Sequence, residues 1–387
     1  MRTKTRFCVI AVNLVFMDLS AEDKLRLNVL LAQNLQAVRI DESKMTVFAL
    51  TDRGEAKVPL NPNCKDEKYI KQVKAVLSTH VMGSPGGYPV FLKRWTRMGQ
   101  ARDESLAQLL MLGEEEAVVA AVHAAGLTDE LAERAWWAMP TAENARRMLE
   151  KASVVKGRTG PVLAEFLVEF LPFEEEPRAM IESVRLVLQP GLISEEEKKK
   201  LWKRARTKRS FYVGFLHSVP EDLPEDAEPH AMYAQASEQL QPLVDAGNRY
   251  ADMVLRVFSD RGQRFINTAA IALKKPSDQE VVESLLDAIA AYFKTIRPEQ
   301  FTADDIDAIT AEAAQLCKTD EDSLAVVEQL PELEAVIRAM IILSCLGVKL
   351  VNPIFARTDA IGTMMRKKIQ PVTDPIFDQF AVLQAGR

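Results

Sequence analysis

The segment Thr128–Lys151, T-D-E-L-A-E-R-A-W-W-A-M-P-T-A-E-N-A-R-R-M-L-E-K, decides how the chain is read. Thr128 precedes the acidic pair Asp129 and Glu130, and Leu131, Ala132 and Ala135 then recur at helical spacing. A threonine hydroxyl at the N-cap accepts from a backbone N–H that the first turn leaves without a partner. Pro140 follows, where it interrupts no helical hydrogen bond, and Thr141 opens the next helix in the same way. The segment therefore predicts two capped helices, Asp129–Ala138 and Ala142–Lys151, with a tight join. The adjacent rings of Trp136 and Trp137 fit one buried and one partner-facing ring, though adjacent aromatics in a helix are more often simply core and boundary.

The pattern extends in both directions. Glu104–Leu112, Glu114–Ala124, Val162–Phe170, Arg178–Leu188 and Glu195–Arg206 read as further short helices, with Pro172 and Pro190 at the joins. Ser194 and Glu197 have the spacing of a capping box. Residues 103–218 are thus expected as a HEAT-like or irregular helical array, an architecture that buries a continuous core and leaves a long face for partners. Residues 231–387 read as a C-terminal helical bundle. In it, Ser277 and Glu280 form a second box and Thr302 caps a helix to Cys317. Leu333–Val348, apolar nearly all round apart from Arg338, is its central helix. The tail, with Pro353, Pro371 and Pro375, is expected as short helices and extended pieces.

A different pattern comes first. Residues 17–102 read as a small α+β module: a helix capped by Ser20, then β-rich pieces at Ala37–Ile40, Met45–Leu50 and Lys57–Leu60. Asp52-Arg53-Gly54 supplies the turn between the last two strands. Asn63 caps a helix with Tyr69, Ile70, Val73, Val76 and Leu77 on one face, and Val90–Leu92 is a last strand. Residues 1–16, a basic start and a short apolar run, read as an extension before Met17. The fold class is mainly α, with this small N-terminal α+β module in front.

The 387 residues are 48% hydrophobic and 27% charged, and 49 basic against 55 acidic side chains leave a net charge of −6. That balance excludes a wholly disordered chain and carries no global basic field. The four cysteines and four histidines form no C-x-x-C, H-x-x-x-H or H-E-x-x-H pattern, so no metal site, cofactor site or disulfide framework is expected. No G-x-G-x-x-G, Walker A or G-x-S-x-G segment occurs, and no catalytic residue is assigned. No apolar stretch reaches the roughly 20 residues that span a bilayer.

Three features carry what chemistry there is. The densest is the run 198–209, with eight basic residues of twelve. Lys198, Lys199, Lys200, Lys203 and Arg204 crowd around Trp202; Arg206, Lys208 and Arg209 follow, with Tyr212 just beyond. Cations interleaved with aromatics suit phosphate contacts and base stacking on RNA, or a protein partner; a solvated helix laced by ion pairs is the plainer alternative. The acidic, proline-broken stretch 219–230 after it reads as a linker or an exposed loop. Second, the loop Gly83, Ser84, Gly86 and Gly87, backed by Lys93 and Arg94, has the backbone amides and cations of an anion-binding loop, or is simply a tight connector. Third, Cys64 is expected at the first position of a helix beside Lys65, a setting that favours thiolate and would allow a persulfide to be carried. The clustered acids Glu114–Glu116 and Asp304/Asp305 complement helix dipoles.

Several segments resemble the DsrS family. They are M-D-L-S-A-E-D (17–23), I-D-E-S-K-M-T-V (40–47), H-V-M-G-S-P-G-G-Y-P-V (80–90), R-W-T-R-M-G-Q (94–100), E-R-A-W-W-A-M-P-T-A-E-N-A-R-R-M-L-E (133–150) and L-P-F-E-E-E-P-R-A-M-I-E-S-V-R-L-V-L-Q-P-G-L-I-S (171–194). The likeness is strongest in 17–195 and covers most of 17–387. It implies a cytoplasmic, non-enzymatic accessory or regulatory protein of dissimilatory sulfur oxidation, encoded with the dsr genes. Its partners would be proteins of that pathway, with RNA as a further candidate. The rival expectation is a sulfur-relay protein that uses Cys64.

Overall fold

The computed structural model describes residues 19–98, 103–299, 303 and 305–384, without the side chains of 93–98 and 103–104. The extension expected at residues 1–16 lies outside them. The chain divides into two compact units, Met1–Glu169 and Phe170–Arg387. The boundaries expected at 102 and 218 therefore fall inside units, and the helices of 103–218 are shared between the two.

In the first unit, α1 (Ala21–Leu31) is capped by Ser20, whose Oγ accepts from Asp23 N at 3.2 Å. Strands β1 (Leu35–Asp41), β2 (Thr46–Thr51) and β3 (Gly54–Pro59) form an antiparallel sheet in that order. Thr51 pairs with Gly54 across the second hairpin, and Gly54, at φ 109°, takes the backbone angle the turn requires. Helix α2 (Asp66–Met82) buries Tyr69, Ile70, Val73, Val76 and Leu77 against the sheet, so the periodic face is the core face. Lys65, not Asn63, holds its N-cap position.

A fully buried carboxylate locks this module. Asp23 accepts from the Tyr69 hydroxyl at 2.5 Å and from Asn61 N at 2.6 Å, which ties α1, α2 and the end of β3 together. Burial, with the Asp23 charge alongside, raises the Tyr69 hydroxyl above its usual range.

Val90–Leu92 is not a strand: it lies in α3 (Gly87–Met98). A short apolar run fits a buried strand or a helix equally by periodicity, and Pro89 sits in the first turn, where its missing N–H costs nothing. The array expected next is present as α4 (Asp103–Leu110), α5 (Glu115–His123), α6 (Asp129–Ala138), α7 (Ala142–Leu149), the short α8 (Ala152–Val155) and α9 (Thr159–Phe170). Thr128 and Thr141 cap α6 and α7 as their spacing requires, accepting from Leu131 N and Asn144 N.

Both tryptophans of α6 are half-buried, and each is engaged inside the unit. Trp136 meets Phe166 edge-on at 4.8 Å. Trp137 docks α6 on the sheet: the Arg39 guanidinium lies 4.7 Å from its ring and 4.9 Å from that of Phe48. Glu55 accepts from Trp137 Nε1 at 2.9 Å and pairs with Arg39 at 3.2 Å. A cation between two rings with a shared carboxylate uses the polar handle inside the unit.

The second unit is built from α10 (Pro177–Val187), α11 (Glu195–Ala205), α12 (Arg209–Ser218), α13 (Tyr233–Asp245), α14 (Arg249–Phe258), α15 (Asp260–Lys274), α16 (Gln279–Tyr292), α17 (Ile306–Leu316), α18 (Glu321–Gln329), α19 (Glu334–Ser344), the short α20 (Asn352–Phe355) and α21 (Gly362–Gln384). As expected, α19 is buried almost throughout while Arg338 reaches solvent. A second central helix, α12, was read only as the end of a basic surface; Ser210 to Leu216 are all buried. Gly214 lets α10 pack closely on it, since a Cβ there would stand 2.7 Å from Val184 Cβ. Asp278 rather than Ser277 caps α16, accepting from Val281 N at 3.1 Å, and Asp305 caps α17. The expected cap Thr302 lies outside the described residues. The tail begins with the expected short helix, α20, and an irregular stretch, but from Gly362 it forms a single 23-residue helix, α21, through Pro371 and Pro375. Met365, Ile369, Val372, Ile376, Phe380 and Leu383 give it a continuous buried stripe, and that burial outweighs the lost backbone bonds.

Candidate functional site

The basic segment divides by depth. Ser194 and Glu197 close the expected capping box at the start of α11, and the helix then turns one side to the core. Trp202 and Tyr212 are each only 4% exposed. Their rings meet at 4.9 Å, and Trp202 meets Phe215 at 5.0 Å, both edge-on. They are core residues of the second unit and are closed to base stacking, because an amphipathic helix buries its large rings first.

Lys198 leaves the surface as well. It is 6% exposed and pairs with Asp222. Lys208 donates to the Glu174 carbonyl at 3.3 Å, and the Arg209 guanidinium lies 5.5 Å from the Tyr212 ring. What remains exposed is Lys199, Lys200, Lys203, Arg204 and Arg206. Lys200 is engaged by Glu196 at 2.8 Å, a solvated pair of small net worth. At 3.6 residues per turn, Lys199, Lys203 and Arg206 lie one above another on the flank beside Lys198 and Trp202.

The acidic stretch 219–230 lies within the second unit, so it is not a linker between bodies. It runs as a strap over α11 and α14. Leu223 is buried, Glu225 accepts from Trp202 Nε1 at 3.0 Å, and Glu221 pairs with Arg256 at 2.5 Å. His230 N donates to the Phe258 carbonyl at 2.8 Å, and the two rings stack at 3.9 Å.

The glycine loop already holds an anion from its own chain. Gly87 N donates to Ser78 Oγ at 2.8 Å, and Tyr88 N donates to Glu114 Oε2 at 3.1 Å. A helix N-terminus favours negative charge, and here the Glu114 carboxylate supplies it. Gly87 is at φ 59°, an angle that favours glycine, and a Cβ on it would displace Glu114 Oε1, 2.2 Å away. Gly83 ends α2 in the left-handed conformation, and the Ser84 carbonyl accepts from Ser78 Oγ at 2.6 Å. Gly86 faces Val90 of the following helix. The loop is therefore a helix–helix connector with its anion position filled. The side chains of Lys93 and Arg94 lie outside the described residues.

Cys64 stands just ahead of the N-cap Lys65, outside the first helical turn where thiolate stabilisation was expected. Its Sγ lies 3.7 Å from the Lys65 carbonyl, half-buried against the module's core. Cys317 and Cys345 are buried, and burial pushes both thiols up. Among the described residues no group of three His, Cys, Asp or Glu side chains is placed to hold a metal ion. No described helix is long and apolar enough to cross a membrane.

Two arrangements escape sequence reasoning. In the first unit a polar cleft of about 310 Å³ brings Glu114–Glu116 beside Arg39, Lys74 and Glu42, with Lys74 and Glu42 paired at 2.8 Å. Burial raises the Glu114 carboxyl, and the Tyr88 N–H and the Lys74 charge pull it back. In the second unit His217 Nε2 lies 2.9 Å from the Ser284 carbonyl and 3.1 Å from its Oγ. A carbonyl only accepts, so Nε2 carries a proton and cannot serve as base to the Ser284 hydroxyl. The pair is a packing contact between α12 and α16.

His217 makes stability depend on pH. Burial lowers its pKa below the ordinary 6.5; the Arg185 charge acts in the same direction, against the Ser284 bond and Asp287. On acidification the unfolded chain takes up the proton first, so stability falls as pH drops from about 6.5 toward the folded value. The drop in Tm between pH 7.5 and 5.5 is expected to be smaller in His217→Gln. Equal drops in the two proteins would remove His217 as its source.

No family model, curated protein or solved structure matches the chain.

Proposed function

We propose that the chain is a non-enzymatic accessory or regulatory protein that works through macromolecular contacts, with the exposed cations of α11 as its contact surface. The observation that carries this reading is the segregation within one helix. Trp202 and Lys198 are drawn into the core, while Lys199, Lys203, Arg204 and Arg206 stay in solvent. A surface of cations without accessible rings suits phosphates or an acidic protein face and contributes affinity without base recognition. The resemblance to the DsrS family, strongest in residues 17–195, supports a cytoplasmic setting in dissimilatory sulfur oxidation with pathway proteins as partners; RNA is a candidate from the exposed cations alone.

The test is binding of a labelled single-stranded RNA by anisotropy across a salt series, beside pull-down from native extract. Replacing Lys199, Lys203 and Arg206 by Ala is expected to lower the slope of log K against log salt by about 2, at roughly 0.7 per phosphate contact. The same replacement should release captured protein partners. RNA binding and protein capture that both survive it unchanged would sink the proposal.

A further inference from the structure

The strap carries Glu221, Asp222, Glu225, Asp226 and Glu228, is separated in sequence from the basic helix by α12, and folds back onto α11. Two of them occupy that helix directly: Asp222 takes the Lys198 ammonium and Glu225 takes the Trp202 indole N–H. Both contacts sit on the border of the Lys199–Lys203–Arg206 flank. The strap is neither helix nor strand, and Pro220, Pro224 and Pro229 interrupt it. Its anchors are the buried Leu223, the His230 ring stacked on Phe258, and a few polar contacts. From this geometry we infer that the strap is a built-in competitor: its carboxylates take Lys198 and the Trp202 N–H at the border of the α11 flank and attenuate the binding of an anionic partner to the exposed cations beside them. The inference rests on the contact reading of that flank and adds regulation to it.

The physical argument is local. Carboxylates within a Debye length, about 8 Å at physiological salt, lower the potential that the exposed cations offer to an incoming polyanion. An intramolecular segment also holds its site at an effective concentration that a free ligand must exceed. Asp226 and Glu228 are exposed and contribute by field alone, whereas Asp222 and Glu225 also pin the strap. The two pairs thus separate charge from docking.

The experiment measures binding of a labelled heparin octasaccharide to four full-length proteins at fixed salt. These are wild type, Asp226→Asn/Glu228→Gln, Asp222→Asn/Glu225→Gln, and the last with Lys199→Ala, Lys203→Ala and Arg206→Ala added. Circular dichroism and Tm check that each is folded. The unpinning pair is expected to tighten binding about tenfold or more and the field pair about two- to threefold, with the added Ala changes reversing the gain. Equal affinities across the first three proteins, with binding still lost on removing the flank cations, would overturn the competitor and leave the contact surface standing. Failure of all four to bind, or binding indifferent to the flank cations, would overturn both. If the unpinning pair unfolds, the field pair alone decides: no tightening there ends the proposal.

Discussion

Trp202→Ala is expected to destabilise the protein by about 3–5 kcal/mol, the cost of emptying a large aromatic site in a packed core. The ring is almost fully buried, edge-on to Tyr212 and Phe215, and its indole N–H is bound by Glu225. Truncation leaves a cavity between α11 and α12 and a carboxylate without its donor. Trp202→Phe keeps most of the ring and loses the hydrogen bond, so a loss of roughly 1 kcal/mol is expected. Denaturant unfolding measures both. A Trp202→Ala protein within 1 kcal/mol of wild type would mean that the ring is not core, and base stacking would return as a role for it.

The second large effect is at Asp23. Replacing it by Ala removes the acceptor of the Tyr69 hydroxyl and of Asn61 N in a fully buried position. The Tyr69 hydroxyl keeps only the longer 3.3 Å bond to Ser20 Oγ, the Asn61 N–H loses its acceptor, and a buried site is emptied, so about 3 kcal/mol is expected. Tyr69→Phe removes one of those two donors. The double variant should therefore be less destabilised than the sum of the singles by about 1 kcal/mol. Strict additivity would show that the two side chains do not share a network.

Most of the helices could be read from the chain because their signals are local. Thr128, Thr141 and Ser194 bond the backbone within their own first turns, and the face of Tyr69 through Leu77 repeats at the helical period. The hairpin at Gly54 is equally local. The misreadings occur where a segment's state depends on distant residues. Val90–Leu92 lies in a helix whose first turn is anchored by Glu114 and Ser78. Pro371 and Pro375 sit inside a helix that a continuous buried stripe holds together.

The candidate site shows the same division. That a capped helix opens at Ser194, that residues 198–209 are strongly basic, and that an acidic proline-rich stretch comes later is determined by sequence, through capping chemistry and charge count. Which of those charges meet solvent is decided only by the tertiary structure. Burial depends on what packs against each face: α12 claims Trp202, the strap claims Lys198, and Lys199, Lys203 and Arg206 are left outside. Likewise, the backbone amides of the glycine loop suit an anion by composition, but that the loop opens a helix, and that its anion is Glu114 from 26 residues further along the chain, is set by the tertiary structure. Local propensity acts over a turn or two; burial and charge pairing act through space, where sequence distance does not enter.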